Sequence, residues 1–138
     1  MAPETQPIVD SSTASELLAP FMKAWTASDP DALIACYADS LEYSDYATNE
    51  LKIDKSAKVQ FIKGVFEAYS LVDYQTVSKH GTRALCTLEC LFTLLAKEDS
   101  PFSKKGDILK LPGASLFKFD QDGKITMQHD YYCLPMKQ

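Results

Sequence analysis

Histidine is scarce in this 138-residue chain, which has only His80 and His129, and its four cysteines, Cys36, Cys86, Cys90 and Cys133, include no C-x-x-C pair. Metal clusters need several such side chains at short spacing, so no zinc or other metal site is expected. Cys86 and Cys90, the closest pair, would stand about 13 Å apart along a strand at roughly 3.3 Å per residue, too far for a disulfide. Reduced, buried thiols are the expectation. Positive charge is also in short supply: 14 Lys and Arg against 19 Asp and Glu leave a net charge of -5. Without a basic stripe the attraction that drives nucleic-acid binding is missing, and nucleic acid is not an expected partner. Met1 to Ser15 is polar and proline-containing, with no Lys or Arg before an apolar run. Neither a transmembrane span nor a signal or transit peptide is expected, and the chain reads as soluble and cytoplasmic with no membrane partner.

The composition itself, 46% hydrophobic and 24% charged, is that of an ordinary globular domain with one core. Residues 1–11 read as a flexible tail and 12–138 as a single domain. From Ser15, Leu17, Leu18, Phe21, Met22 and Trp25 recur at helical spacing behind a capping Ser12 or Thr13. Asp29-Pro30 reads as an N-cap followed by proline at the first helical position, opening a short helix with Leu33, Ile34 and Tyr37 on its inner face. Leu41 to Tyr46 alternates as a strand. A third helix starts at Asp54 or Ser56 and carries Val59, Ile62, Val65, Phe66 and Tyr69 as its apolar stripe. Strands follow at Val72–Lys79, Arg83–Ala96, Ile108–Phe119 and Lys124–Cys133, with turns at His80-Gly81 and Asp122-Gly123 and a polar loop over Lys97–Lys105. Helices first and an antiparallel sheet after them give an α+β class, with the helices packed on one face of a curved sheet.

Two segments carry a family resemblance. Ala27 to Tyr46, ASDPDALIACYADSLEYSDY, resembles the part of nuclear transport factor 2-like proteins in which the second helix ends in Tyr-Ala-Asp and the first strand ends in an acid. Phe117 to Tyr132, FKFDQDGKITMQHDYY, is similar to that superfamily's final hairpin. The resemblance implies the cone-shaped α+β barrel of ketosteroid isomerases and SnoaL-like polyketide cyclases: three N-terminal helices on a curved, mostly antiparallel sheet, with a ligand pocket inside. It places Asp45 where ketosteroid isomerases hold their proton-shuttling carboxylate, and Tyr37 at a supporting tyrosine. It also shows a departure, because the tyrosine and the acid that bind an oxyanion there are replaced by Phe21 and Ser115.

If Asp45 points into an apolar cone, loss of solvation raises its pKa towards that of a usable general acid or base; ketosteroid isomerase is itself the standard worked case of this logic. A strand-end aspartate capping a turn is the competing reading. His129 and Asp130 are neighbours on one strand and must face opposite ways. Alternation alone would place His129 inward with Met127, Tyr131 and Cys133. The resemblance implies the reverse, with Gln128, Asp130 and Tyr132 lining the cone and Met127, His129 and Tyr131 on a convex face that makes a homodimer.

The candidate catalytic pair is therefore Asp45 and Asp130, with Tyr37, Tyr43, Ser115 and Tyr132 orienting a substrate and Phe21 and Trp25 shaping its apolar site. Phe21, Trp25, Phe66, Leu88, Phe92, Phe117 and Phe119 are otherwise core. The expected function is a cofactor-independent isomerase, cyclase or dehydratase acting by proton transfer on an apolar, oxygenated small molecule such as a polyketide or terpenoid. A non-catalytic module that binds a ligand or a protein is the alternative. An epoxide hydrolase would need an arginine bridging two acids, and Arg83 at a strand start is poorly placed for that.

Overall fold

A computed structural model describes residues 12–134; the expected N-terminal tail lies outside them. Helix α1 (Ser12–Thr26) presents Ala14, Leu18, Phe21 and Ala24 to the core, one turn apart. Asp29 caps α2 (Pro30–Ile34) by accepting the Ala32 N–H at 3.0 Å, and Asp54 caps α3 (Lys55–Ala68) by accepting that of Ala57 at 2.9 Å. Both caps satisfy a donor the helix leaves orphaned, so both were readable locally.

The strands are β1 (Tyr37–Asp45), β2 (Glu50–Ile53), β3 (Tyr69–Gly81), β4 (Cys86–Ala96), β5 (Ile108–Phe119) and β6 (Ile125–Tyr132). They form one sheet in the order β2-β1-β6-β5-β4-β3. All neighbours run antiparallel except β1 and β6, which pair in parallel. The expected class, helices on a six-stranded, mostly antiparallel sheet, is the one observed.

Several expected boundaries move. Tyr37 opens β1 instead of closing α2, because the helix ends at Ile34 and the Ile125 N–H donates to the Cys36 carbonyl, drawing the chain onto β6. The turn expected at His80-Gly81 falls at residues 82–85, where the Thr82 N–H meets the Leu85 carbonyl at 2.9 Å; β4 therefore starts at Cys86, three residues after Arg83. Strand β2 was not expected at all. Its residues, Glu50-Leu51-Lys52-Ile53, do alternate, but four mostly exposed residues are too short a run to mark a strand on their own. Of the four thiols, Cys36, Cys86 and Cys90 are buried, but Cys133 is exposed just beyond the end of β6.

The core lies between the helices and the inner face of the sheet. An aromatic ladder runs through it: Trp25 stacks on Phe66 at 5.2 Å, Phe92 meets Trp25 at 5.4 Å and Tyr132 at 5.4 Å, and Phe21 packs edge-on against Phe117. Such pairs prefer stacked or edge-to-face geometry and add stabilisation beyond their buried area. Gly113 on β5 is required by close approach: a Cβ there would stand 2.2 Å from the Tyr132 ring. That glycine lets Tyr132 lie flat against its cross-strand partner and hold its hydroxyl inside the barrel.

Candidate active site

The parallel pairing of β1 with β6 sets Asp45 directly beside Asp130, and the antiparallel pairing of β6 with β5 sets Ser115 on the other side of Asp130. Partners in register point to the same face of a sheet. Both aspartates accordingly line one cavity of about 420 Å³, together with Phe21, Trp25, Tyr43, Gln128 and Tyr132. Phe61, Val65 and Ala68 of α3 form the wall opposite the sheet, and Ser100 to Phe102 of the β4–β5 loop complete it.

Asp130 is 5% exposed and accepts from three side chains. Ser115 Oγ donates to Oδ1 at 2.6 Å and Gln128 Nε2 to the same oxygen at 2.8 Å, while the Tyr43 hydroxyl donates to Oδ2 at 2.5 Å. Gln128 is fixed in turn by the Tyr37 hydroxyl, which donates to its Oε1 at 2.6 Å. Burial, and then the charge of Asp130, push Tyr37, Tyr43 and Tyr132 well above the ordinary phenol range. These phenols stay protonated and serve as donors.

Asp45 is held differently. Its Oδ1 accepts the backbone N–H of Ala47 at 2.9 Å and of Thr48 at 3.2 Å, while Oδ2 has no partner among the described residues. The two sequence readings of this residue thus coexist: one oxygen caps the turn into β2, and the carboxyl lines the cavity. Burial, and then the neighbouring charge of Asp130, raise the Asp45 pKa; the two N–H groups and Lys58 pull the other way. An unpartnered carboxylate oxygen whose proton affinity is raised can take a proton from a bound molecule and return it.

Not every candidate touches the cavity. Tyr37 and Ser115, expected to orient a substrate, sit one layer behind the wall and orient Gln128 and Asp130 instead. His129 is on the outer face, 3.5 Å from Glu42 and edge-on to Tyr46. Arg83, the single arginine of the chain, lies in the turn before β4, beside Thr13 and Glu16 and away from both aspartates.

One residue escaped the sequence reading. Lys58 is 3% exposed and, among the described residues, is the only cationic side chain lining the cavity. It falls within the stripe of Val59, Ile62, Val65, Phe66 and Tyr69, one turn before Ile62, but a lysine there reads as a solvated residue. The available signal was its place three residues before Phe61 and seven before Val65, on the face that turns to the sheet.

An acid-lined apolar cavity inside a cone of three helices and a curved sheet defines the class of ketosteroid isomerase-like barrels. The chain belongs to the SnoaL-like domain family, whose model matches residues 18–128. It is 26% identical over 105 residues to the cyclase aurE of Calcarisporium arbuscula, covering 76% of this chain and 75% of that protein. Among solved structures, a candidate SnoaL-like polyketide cyclase from Shewanella denitrificans superposes with a TM-score of 0.72 at 21% identity, over 89% of this chain and 92% of that one. An epoxide hydrolase of M. tuberculosis aligns at 0.67 and 17% identity, over 89% and 84%. No helix among the described residues is long and apolar enough to cross a membrane.

Proposed function

We propose that this protein is an enzyme that uses its own side chains, without a cofactor, to move a proton on an apolar, oxygenated small molecule, as an isomerase, cyclase or dehydratase does. Polyketides and terpenoids are the substrate types that suit it, and the likeness to the cyclase aurE favours cyclisation. The observation that carries the reading is the free Oδ2 of Asp45 in an apolar cavity beside Asp130. Asp45 acts as the general base; Asp130, holding Tyr43, Ser115 and Gln128, acts through the Tyr43 hydroxyl. Phe21, Trp25 and Tyr132 hold the apolar body of the substrate. A non-catalytic module that binds a protein on its outer face would be better matched by a cone packed shut, with neither carboxylate reaching a cavity. An epoxide hydrolase would need an arginine between the acids.

The test is hydrogen exchange. Wild-type protein incubated in deuterium oxide with enolisable cyclic and polyketide-like ketones is expected to speed exchange at the carbon next to the carbonyl, as followed by NMR. A panel in which no ketone exchanges faster than in buffer counts against this function.

The same proposal includes a homodimer through the outer face of the sheet. There Ala114 lies opposite Tyr131 and Leu116 opposite His129, and exposed Tyr131 stacks on exposed Tyr46 at 4.6 Å. A two-fold contact can cover such a patch with its own copy, each large apolar side chain contributing about 1.5–3 kcal/mol before association costs. Leu116→Lys is expected to convert the dimer to monomers in light scattering while ligand binding persists. A wild-type monomer at micromolar concentration would refute the assembly.

A further inference from the structure

Lys58 is a buried lysine whose ammonium lies against aromatic rings in the cavity wall. Its Nζ lies 3.4 Å from the Tyr43 ring centroid and 4.8 Å from that of Phe61. Among the described residues no acceptor is in hydrogen-bond range of Nζ and no carboxylate oxygen is within 4.0 Å. Aromatic faces attract a cation but leave its N–H groups undirected. Burying an ammonium without acceptors is costly, and the cost is recovered where a bound molecule supplies the acceptor. Burial pushes the Lys58 amine down to about 8, so at pH 7 most molecules still carry the charge.

The groups that face Lys58 limit what it can do. Asp45, Tyr37 and Tyr43 come from β1 and Asp130 from β6, and the two carboxylates act on it from a distance. Thr48 Oγ1 and Trp25 Nε1, from two residues of the cavity wall, are buried without a hydrogen-bond partner among the described residues. Among the described residues, Lys58 is the cation that this cavity presents to the oxygens of a guest.

We propose that Lys58 is a catalytic residue whose ammonium donates to the oxygen of an enolate, so that the substrate is an enolisable ketone or β-dicarbonyl compound. This rests on Asp45 acting as the base. Asp45 Oδ2 takes a proton from the carbon beside the carbonyl; the C–H pair becomes the new C=C bond, and the C=O π pair moves onto oxygen. Negative charge leaves Asp45 and appears on the substrate oxygen next to Nζ, so the cavity holds the same ions before and after the step. In a water-poor site a fixed charge aimed at the developing oxyanion is worth far more than in bulk water. Lys58 thereby supplies what the phenylalanine at position 21 and the serine at 115 do not.

The test needs no knowledge of the natural substrate. 4-Nitrophenol imitates a planar enolate when ionised, and its phenol and phenolate forms absorb at different wavelengths. The Asp45→Asn protein, which imitates the base after it has taken the proton, is expected to bind the phenolate at least about tenfold more tightly than the phenol, the scale of a charge-assisted hydrogen bond. Lys58→Met and Lys58→Gln in that background should bind the phenol as before and lose the preference, with circular dichroism reporting the fold. Lys58→Arg should keep part of it. Persistence of the full preference in both neutral variants would overturn the proposal. So would a borohydride-trapped adduct of acetylacetone on Lys58, which would make the amine a nucleophile. Failure of the base assignment has a different signature: Asp45→Asn then keeps its ketone-exchange activity whatever Lys58 does to phenolate binding.

Discussion

Asp45→Asn is expected to lower the proton-transfer rate by about 10²–10⁴-fold, the usual range for loss of a positioned general base, and to leave the protein folded. The amide oxygen can still accept the N–H groups of Ala47 and Thr48, so the turn into β2 keeps its cap. The other carboxyl oxygen becomes an NH2 group, which cannot accept a proton from carbon. Stability should move the opposite way to activity. Because the folded state raises the Asp45 pKa, it binds more protons than the unfolded state across the carboxylate range, and the ionised group weakens the fold as pH rises through that range. Asn is spared this loss, so the variant should match or exceed the wild type in thermal melts at pH 7 and show no advantage at acid pH. Asp130→Asn is the informative contrast. Oδ1 faces two donors and Oδ2 one, so an amide must turn its NH2 towards a group that now donates. About 1–3 kcal/mol of stability should be lost with one unsatisfied buried group. An Asp45→Asn enzyme with wild-type turnover would remove Asp45 from the mechanism.

Lys58→Met should be markedly more stable than wild type at pH 7, by about 3 kcal/mol. The figure follows from the fall of the amine from 10.5 to about 8 on folding, at 1.36 kcal/mol per unit. A base whose pKa is depressed in the folded state costs stability at every pH below the folded value, and the cost is relieved as pH climbs from that value to the unfolded one. Methionine fills the same volume without a charge, and replacement of buried ions by well-packed apolar groups is commonly neutral or stabilising. The advantage of the variant should therefore shrink by about 2 kcal/mol between pH 7 and pH 9.5. Urea melts at the two pH values measure it. Equal stability of variant and wild type at pH 7 would mean that Lys58 is not the uncompensated charge described here. The same substitution should impair catalysis, the usual trade between stability and a strained site.

The elements that were readable in advance are those with local causes. Asp29 and Asp54 cap helices by accepting from N–H donors three residues on, and Asp122-Gly123 supplies a turn in which Gly123 has φ 78°, a region that glycine enters without steric cost. Strand β2 was missed because its alternation runs for only four mostly exposed residues, and Glu50–Ile53 is held by its pairing with β1 and by the Lys52 N–H donating to Ser44 Oγ. The orientation of β6 was ambiguous for a similar reason. Gln128, Asp130 and Tyr132 read as a polar face, and only the barrel turns that face inward, where Tyr37, Tyr43 and Ser115 meet its polar atoms.

By itself, then, the sequence determined the α+β class, the helix starts and the final hairpin, because propensity, capping and alternation act over a few residues, while the two aspartates stood out as the acids to watch through the resemblance to nuclear transport factor 2-like proteins. Tertiary structure alone decided that those aspartates are neighbours, since a parallel pairing between the first and last strands brings them together from opposite ends of the chain. It also decided that Tyr37 and Ser115 stand behind the cavity wall and that Lys58 stands in it. Burial, and with it the pKa of Asp45 and Lys58, is set by everything packed around a side chain, and no stretch of sequence near either residue contains that information.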